Sequence, residues 1–337
     1  MSTLVTGSNG FLGRALVKRL LGAGQQDVVC LVRAGSNRKR LDAVLAQYPS
    51  LNPRVLVGSL ARVDDARTAI DGASAIYHLA ASLSGAAADM YLNTVVTSRN
   101  LLEAVTEQQT PPKVVLISSF SVYGVANLPR GTVVDEHTPL EASPKLRDLY
   151  SQTKLRQEKL FWEYKERSDY PLVVLRPGVI YGSQGSRLSA RVGVQLPGLF
   201  VLLGGNNLLP LTYVDNCADA IAVAGSSEAA LGQVYNVVDD HMPTCREYFK
   251  RYEKEVEKRP SIRVPYFALR LGSSMVQKYH NYSKGQLPNI FTPYKSATMW
   301  GGNRFDNGRL KAIGWRQLIS TDSGIGITFR AFRQAQN

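Results

Sequence analysis

Along the first half of the chain, short runs of β-branched and aliphatic residues alternate with segments of helical period. The apolar runs are TLV (3–5), VVCLV (28–32), RVLVG (54–58), AIYHLA (75–80), KVVLISS (113–119) and PLVVLRP (171–177). Between them lie amphipathic segments such as FLGRALVKRLLGAG (11–24) and NTVVTSRNLLEAVTEQ (93–108). Strands that are apolar on both faces and separated by helices predict an α/β fold with a doubly wound parallel sheet, whose ligands bind at the carboxyl ends of the strands. After Pro177 the pattern loosens. Residues 178–210 are rich in Gly, Leu and Ser, 212–225 read as a turn leading into a helix, and 233–238 read as one more buried strand. From Asp239 onward, helices and loops are punctuated by Pro260, Pro265, Pro288 and Pro293. The predicted organisation is a larger doubly wound domain, 1–177 plus 211–238, with a smaller discontinuous lobe, 178–210 plus 239–337. No internal repeat or low-complexity tract interrupts it.

With 337 residues, 44% of them hydrophobic, the chain can bury a large core. No window approaches about 18 uninterrupted apolar residues, so no membrane span is predicted. The start of the chain shows no charged leader or cleavage site. Cys30, Cys217 and Cys245 are far apart and in no CxxC spacing, which fits a reducing compartment and a cytoplasmic location. His78, His137, His241 and His280 show no metal-site spacing, and no metal is expected. The net charge of +13 is uneven, with 17 Lys and Arg against 6 Asp and Glu from Arg246 to the end. No nucleic-acid motif accompanies this excess. Two readings stay open: a solvated basic lobe, or attraction of an anionic substrate or lipid surface, with peripheral membrane contact included.

TGSNGFLG (6–13) follows the first strand and opens the first helix, with Gly7, Gly10 and Gly13 spaced for a tight turn. Such a loop lets a pyrophosphate approach the backbone at a helix N-terminus. A dinucleotide-binding fold normally presents an acid about 20 residues later for the adenosine ribose, and NADP users place a cation there. Here the second strand ends in Arg33, within VVCLVRAGSNRKR (28–40). A solvated loop would explain the charge in isolation. After a glycine-rich loop, the guanidinium is better read as a partner for a 2'-phosphate, with Ser36, Asn37 and Arg38 nearby, and NADP(H) is favoured over NAD(H).

LYSQTKL (149–155) holds Tyr150 and Lys154, four apart and so on one helix face. A close ammonium is expected to lower the tyrosine pKa and fit it for proton transfer during hydride movement. The preceding strand ends in ISSFSVYG (117–124), which brings hydroxyls to the same sheet edge.

TGSNGFLG, YHLAA (77–81), ISSFSVYG, YSQTK, LRPGVIYG (175–182) and TYVDNCADA (212–220) together resemble the extended short-chain dehydrogenase/reductase family, the NAD-dependent epimerase/dehydratase group. The resemblance spans nearly the whole chain. It implies a Rossmann domain, a C-terminal substrate lobe and a catalytic set of Ser119, Tyr150 and Lys154, with Ser118 the second choice for the serine. Ser119 would bond the reacting oxygen, Tyr150 act as acid or base, and Lys154 hold the nicotinamide ribose. Implied cofactor contacts are Gly7, Ser8, Asn9, Gly10, Phe11, Leu12, Gly13, Arg33, Ser36, Arg38, Ser59, Leu60, Leu79, Ala80, Ala81, Lys154, Pro177 and Val179. Asn93 would be a buried structural asparagine, and Tyr123, Tyr181 and Asp215 would be structural. A homodimer through a four-helix bundle, including the helix of Tyr150, is also implied. One departure is GSL in place of Gly-Asp-Leu after the third strand, so that Ser59 stands where family members place an acid against adenine.

Nucleotide-sugar members usually carry an asparagine and an arginine that hold their substrate; the matching positions here are Val179 and Leu209. With VQLPGLFVLLGGNNLLPLTYVDN apolar around them, the pattern resembles the 3β-hydroxysteroid dehydrogenase branch. The expected function is NAD(P)-dependent oxidoreduction of a hydroxyl/keto pair on a largely hydrophobic substrate, steroid-like, terpenoid or acyl. Alternatives are a nucleotide-sugar epimerase, dehydratase or reductase, or a non-catalytic NADP-binding regulator, and the leucines could simply fill the core.

Overall fold

The computed structural model describes residues 2–282 and 292–335; Pro288 lies outside these, as does the side chain of His280. The strands are β1 (Ser2–Thr6), β2 (Val28–Val32), β3 (Arg54–Val57), β4 (Ala73–His78), β5 (Lys113–Ile117), β6 (Val133–Val134), β7 (Leu172–Pro177), β8 (Val179–Tyr181), β9 (Gly193–Leu196), β10 (Leu199–Leu202), β11 (Leu211–Tyr213), β12 (Val234–Val237), β13 (Ser261–Arg263) and β14 (Arg304–Phe305). The helices are α1 (Phe11–Gly22), α2 (Lys39–Leu45), α3 (Val63–Ile70), α4 (Ala87–Tyr91), α5 (Thr97–Thr106), α6 (Leu149–Ser168), α7 (Val214–Ser226), α8 (Cys245–Glu255), α9 (Tyr266–Tyr282), α10 (Pro293–Trp300), α11 (Gly308–Ala312) and α12 (Thr321–Gln334).

Seven parallel strands in the order β12-β7-β5-β4-β1-β2-β3 form the central sheet. Strand order reverses between β1 and β4, which opens a crevice at their carboxyl ends. Alternate residues of each strand enter opposite cores, and this explains the continuous apolar runs. Val5, Cys30, Val115 and Val173 pack with α1 and α7, while Leu4, Val29, Val114 and Val174 pack with Leu101, Leu102, Leu160 and Phe161 of α5 and α6.

The lobe is built around β9 and β10, a hairpin to which β13 adds in parallel. Its core joins Phe200, Leu202, Tyr248, Phe249 and Tyr252 to Ile325, Phe329 and Phe332 of α12. Leu209 lies in this core with no exposed surface. Leu310 and Trp315, from the segment 239–337 expected in the lobe, are buried in the core beneath α1 and α7. Their contacts are with residues far away in sequence, which no local pattern records.

Beneath the carboxyl edge, β4 ends in the fully buried His78. Its Nδ1 faces Thr6 Oγ1 at 2.9 Å and its Nε2 faces Ser98 Oγ at 2.9 Å, with Gln157 also donating to that Ser98 hydroxyl. Burial, and secondarily the Lys154 ammonium, push the imidazole down to about 3 from 6.5. Between those values the unfolded chain binds a proton that the folded chain does not. Stability therefore falls as pH is lowered across this window, by up to about 1.4 kcal/mol per pH unit for one proton. Urea midpoints followed from pH 7 down to pH 4 are expected to fall less steeply in His78→Gln than in the parent, and equal slopes would refute this assignment.

Candidate active site

Gly7 adopts φ +67°, and a Cβ there would come about 3.0 Å from the backbone of Leu79 and Ala80. A Cβ on Gly13 would stand 2.1 Å from the Gly7 carbonyl. The loop after β1, the first turn of α1 and the loop after β4 are thus in backbone contact, leaving no room for side chains. Gly10 caps α1 without a side-chain acceptor, and no acid sits in the first turn. The leading N–H groups are free to meet an anion, so the cradle fits a dinucleotide pyrophosphate. Phe11 closes one flank, because a Cβ on Gly182 would be 2.9 Å from its ring.

Several expected contacts are redirected. Ser8 is buried and donates to the Leu31 carbonyl at 3.0 Å, and Leu60 points into the core, so neither side chain is presented to a cofactor. Asn9 donates to the Asn37 carbonyl at 3.0 Å and ties the glycine loop to the loop after β2. Pro177 is buried, whereas Leu12, Leu79, Ala80, Ala81 and Val179 are half-buried along the edge. Asn93 is half-buried rather than buried, donating to the Asp89 carbonyl; the buried asparagine is Asn100, which donates to the Leu60 carbonyl at 2.8 Å. Asn93 lies in a π-helical turn at Leu92–Val96, whereas Asn100 lies beyond it in α5. At Ser59 the backbone N–H donates to Asp65 of α3 at 2.8 Å. An acid thus reaches this end of β3 from six residues further on, a contribution that the GSL sequence hides.

Arg33 is exposed and donates to Asn93 Oδ1 at 3.3 Å, Ser36 turns back to the Arg33 carbonyl, and Arg38 pairs with Asp42 at 3.2 Å. Two further cations join them. Arg14 and Arg40 both donate to Gln184 Oε1, at 2.6 and 2.9 Å. Burial, then the neighbouring Arg40 charge, lower the Arg14 pKa. Arg40 belongs to the RKR run visible in the sequence, but its approach to Arg14 depends on the loop after β8.

Asp148 caps α6 by accepting from Ser151 N at 3.0 Å, which sets Tyr150 in the first turn. Ser119 caps the short turn after β5 by accepting from Ser121 N at 3.1 Å, and its hydroxyl lies close enough to the Tyr150 phenol to act on its pKa. The expected lowering of the tyrosine pKa is absent. Burial raises it, and the Ser119 hydroxyl only partly opposes that. Lys154 Nζ instead donates to the Ile117 carbonyl at 2.6 Å and to Gln157 Oε1 at 2.5 Å. Its pKa is pushed down to about 7 by burial, with Glu158 opposing.

Glu158, fully buried, receives Arg176 Nε at 3.1 and 3.2 Å, Arg176 Nη2, and the hydroxyl of Ser118. Ser118 is therefore committed to an ion pair, and Ser119 is the serine that meets Tyr150. The Arg176 guanidinium lies over the Tyr123 ring at 4.7 Å, and Tyr123 donates to Asn236 at 2.6 Å. Tyr181 donates to Asp239 at 3.2 Å. Asp215 is exposed; Asp219 and Asp239 are buried, and burial pushes Asp239 up to about 6.

In the lobe, a cavity of about 270 Å³ is lined by Arg130, Arg246, Arg263, Asn207 and the backbone of residues 202–205. Arg130 donates to Asn207 at 3.1 Å, and Arg246 Nε is buried without a hydrogen-bond partner among the described residues. A smaller crevice beyond Asn207 holds Arg191 and Phe305, and Phe305 stacks on Phe120, next to Ser119, at 5.3 Å. Burial pushes Arg191 down to about 10. No local motif announces this basic lining, because its residues come from four separate segments.

Among proteins of known sequence, the bovine sterol-4-alpha-carboxylate 3-dehydrogenase (decarboxylating) is 25% identical over 97% of this chain and 91% of its own. The 3-beta-hydroxysteroid dehydrogenase of Mycolicibacterium neoaurum is 28% identical over 70% of this chain and 65% of its own, and the D-erythronate dehydrogenase of Cupriavidus necator is 33% identical over 59% and 63%. The fold is that of the UDP-glucose 4-epimerase of Thermus thermophilus in complex with NAD, with a TM-score of 0.70 and 21% identity over 99% of this chain and 100% of that one. The profile of the NAD dependent epimerase/dehydratase family matches residues 3–237. With the nucleotide cradle and the Ser119–Tyr150 pair on one sheet edge, the chain belongs to that family and is an NAD(P)-dependent enzyme of the extended short-chain dehydrogenase/reductase type.

Proposed function

We propose that the protein is an NADP(H)-dependent dehydrogenase or reductase acting on a hydroxyl/keto pair of a largely hydrophobic substrate, steroid-like, terpenoid or acyl. The observation that carries this is the placing of Ser119 and Tyr150 side by side at the carboxyl edge, with the glycine cradle on the same edge. The steroid dehydrogenases among the relatives support the substrate class.

Bound in the cradle, the dinucleotide supplies or accepts the hydride. Gly7, Gly10 and Gly13 make room for its pyrophosphate, and the first turn of α1 neutralises it. Arg33 takes the 2'-phosphate with Arg38. Ser119 orients the substrate oxygen. Tyr150 donates its proton to that oxygen in reduction and takes one back in oxidation, and Lys154 holds the ribose. Burial keeps the phenol protonated at neutral pH, so reduction is served there and oxidation quickens as pH rises. Three buried free thiols support a cytoplasmic location. Tyr91, Leu92 and Leu149, each more than 40% exposed at the ends of α4 and α6, support a homodimer through that face.

A second reading, a nucleotide-sugar epimerase, dehydratase or reductase, is favoured by the arginine-lined cavity. A panel of hydrophobic ketones and UDP-sugars, assayed with NADPH and NADH, separates the two: ketone reduction with NADPH is the expected result, and turnover of UDP-sugars alone would replace the first reading by the second. Tyr150→Phe is expected to lower kcat about 10²–10⁴-fold with dinucleotide affinity retained, measured by fluorescence titration. Arg33→Asp is expected to shift the NADPH/NADH ratio of kcat/KM by roughly 10–100-fold toward NADH, the equivalent of one lost charged hydrogen bond.

A further inference from the structure

Helix α9 presents Phe267, Leu271, Met275 and Tyr279, a set recurring every four residues, at 74, 64, 65 and 53% exposure, with Tyr282 at 85% on the same side. Its opposite face carries Ser273, which is 2% exposed and so marks the side turned to the protein. An apolar stripe of this length belongs against something other than water. The surrounding charge says what. From 258 to 305 the sequence contains eight Lys and Arg and no Asp or Glu, and Arg263, Arg270 and Lys278 are all exposed along the helix and its approach.

We propose that α9 docks the protein flat on an anionic bilayer surface, with Phe267, Leu271, Met275, Tyr279 and Tyr282 entering the headgroup boundary and Arg263, Arg270 and Lys278 meeting lipid phosphates. An amphipathic helix with a cationic polar side has this mode of binding. Tyrosines suit the boundary because the ring is apolar and the hydroxyl stays wet. Lys278 lies within the stripe, and its long stem lets the ammonium reach back to the phosphate layer. A second copy of the chain is a poorer occupant, since two faces of the same uncompensated positive charge would repel. The basic cavity opens beside the start of this helix through Arg263, Val264 and Tyr266, so docking sets its mouth at headgroup depth. That a hydrophobic substrate enters from there rests on the proposed function; the docking itself does not.

The test is flotation of the full-length protein with vesicles of phosphatidylcholine alone or mixed equally with phosphatidylglycerol, with no substrate or cofactor, so that its outcome is separate from any result on turnover. The protein is expected to float with the anionic vesicles only and to be released by high salt. Leu271→Ser combined with Met275→Ser is expected to lower partitioning about tenfold or more with an unchanged circular dichroism spectrum, and Arg270→Glu combined with Lys278→Glu is expected to abolish it. No flotation, or flotation that both variants keep, would overturn the proposal. So would wild-type self-association, seen in sedimentation equilibrium and removed by the serine variant without vesicles, which would make the stripe a contact between copies.

Discussion

The ion pair between Glu158 and Arg176 is the constraint on which the reacting edge depends. Taking both charges out of water is costly, and their attraction offsets that cost only because the carboxylate is filled by two guanidinium nitrogens and the Ser118 hydroxyl. The pair joins α6 to β7 and, through Ser118, to the end of β5. Tyr150, Lys154 and Glu158 recur every four residues on α6, so a helix held at Glu158 has its rotation fixed, and the same face carries Lys154 and Tyr150 to the sheet edge. Arg176 extends the connection to the Tyr123 ring and, through the tyrosine hydroxyl, to Asn236 on β12. Three adjacent strands are thereby tied to the helix that bears the tyrosine.

The nucleotide cradle follows a different rule, the exclusion of side chains. Its geometry is set by backbone meeting backbone at Gly7, Gly13, Leu79 and Ala80, and its charge is set by the uncapped turn of α1 together with Arg14, Arg33 and Arg40. Arg14 and Arg40 share a single amide oxygen. Nothing in that arrangement neutralises them, and an anion placed there would be met by more than one guanidinium.

The parallel sheet is legible in the sequence because both faces of each central strand are buried, which leaves uninterrupted apolar runs at 28–32, 114–117 and 171–175. The glycine loop, Arg33, Tyr150 and Lys154 are legible because the spacing of a turn or a helix is local. What depends on rotamers or on distant partners is not. YxxxK places Tyr150 and Lys154 on one face but does not say that Nζ will choose the Ile117 carbonyl and Gln157, nor that burial will outweigh charge at the phenol. The choice between Ser118 and Ser119 turns on Glu158, whose eight-residue spacing from Tyr150 is the one signal that could have exposed it. Arg130, Arg246 and Arg263 meet around their cavity from three separate parts of the chain, and Trp315 reaches the first core from the segment expected in the lobe. Leu209, matched to the position of a substrate-holding arginine, fills the core, which the apolar segment around it also allowed.

Two buried polar networks flank the reacting pair, and their division of labour defines the site. On one side Lys154, Gln157, Ser98, His78 and Thr6 bond in sequence beneath β4 and β1. On the other, Glu158, Arg176 and Ser118 close on one another. Each network bonds most of its hydroxyls and charges internally, as burial demands, and Arg176 Nη1 is left without a hydrogen-bond partner among the described residues. Ser119 and Tyr150 lie between them, side by side at an edge where a substrate oxygen can meet both hydroxyls. The networks hold that edge still, and the hydroxyl pair between them is the part of the edge left open to a substrate.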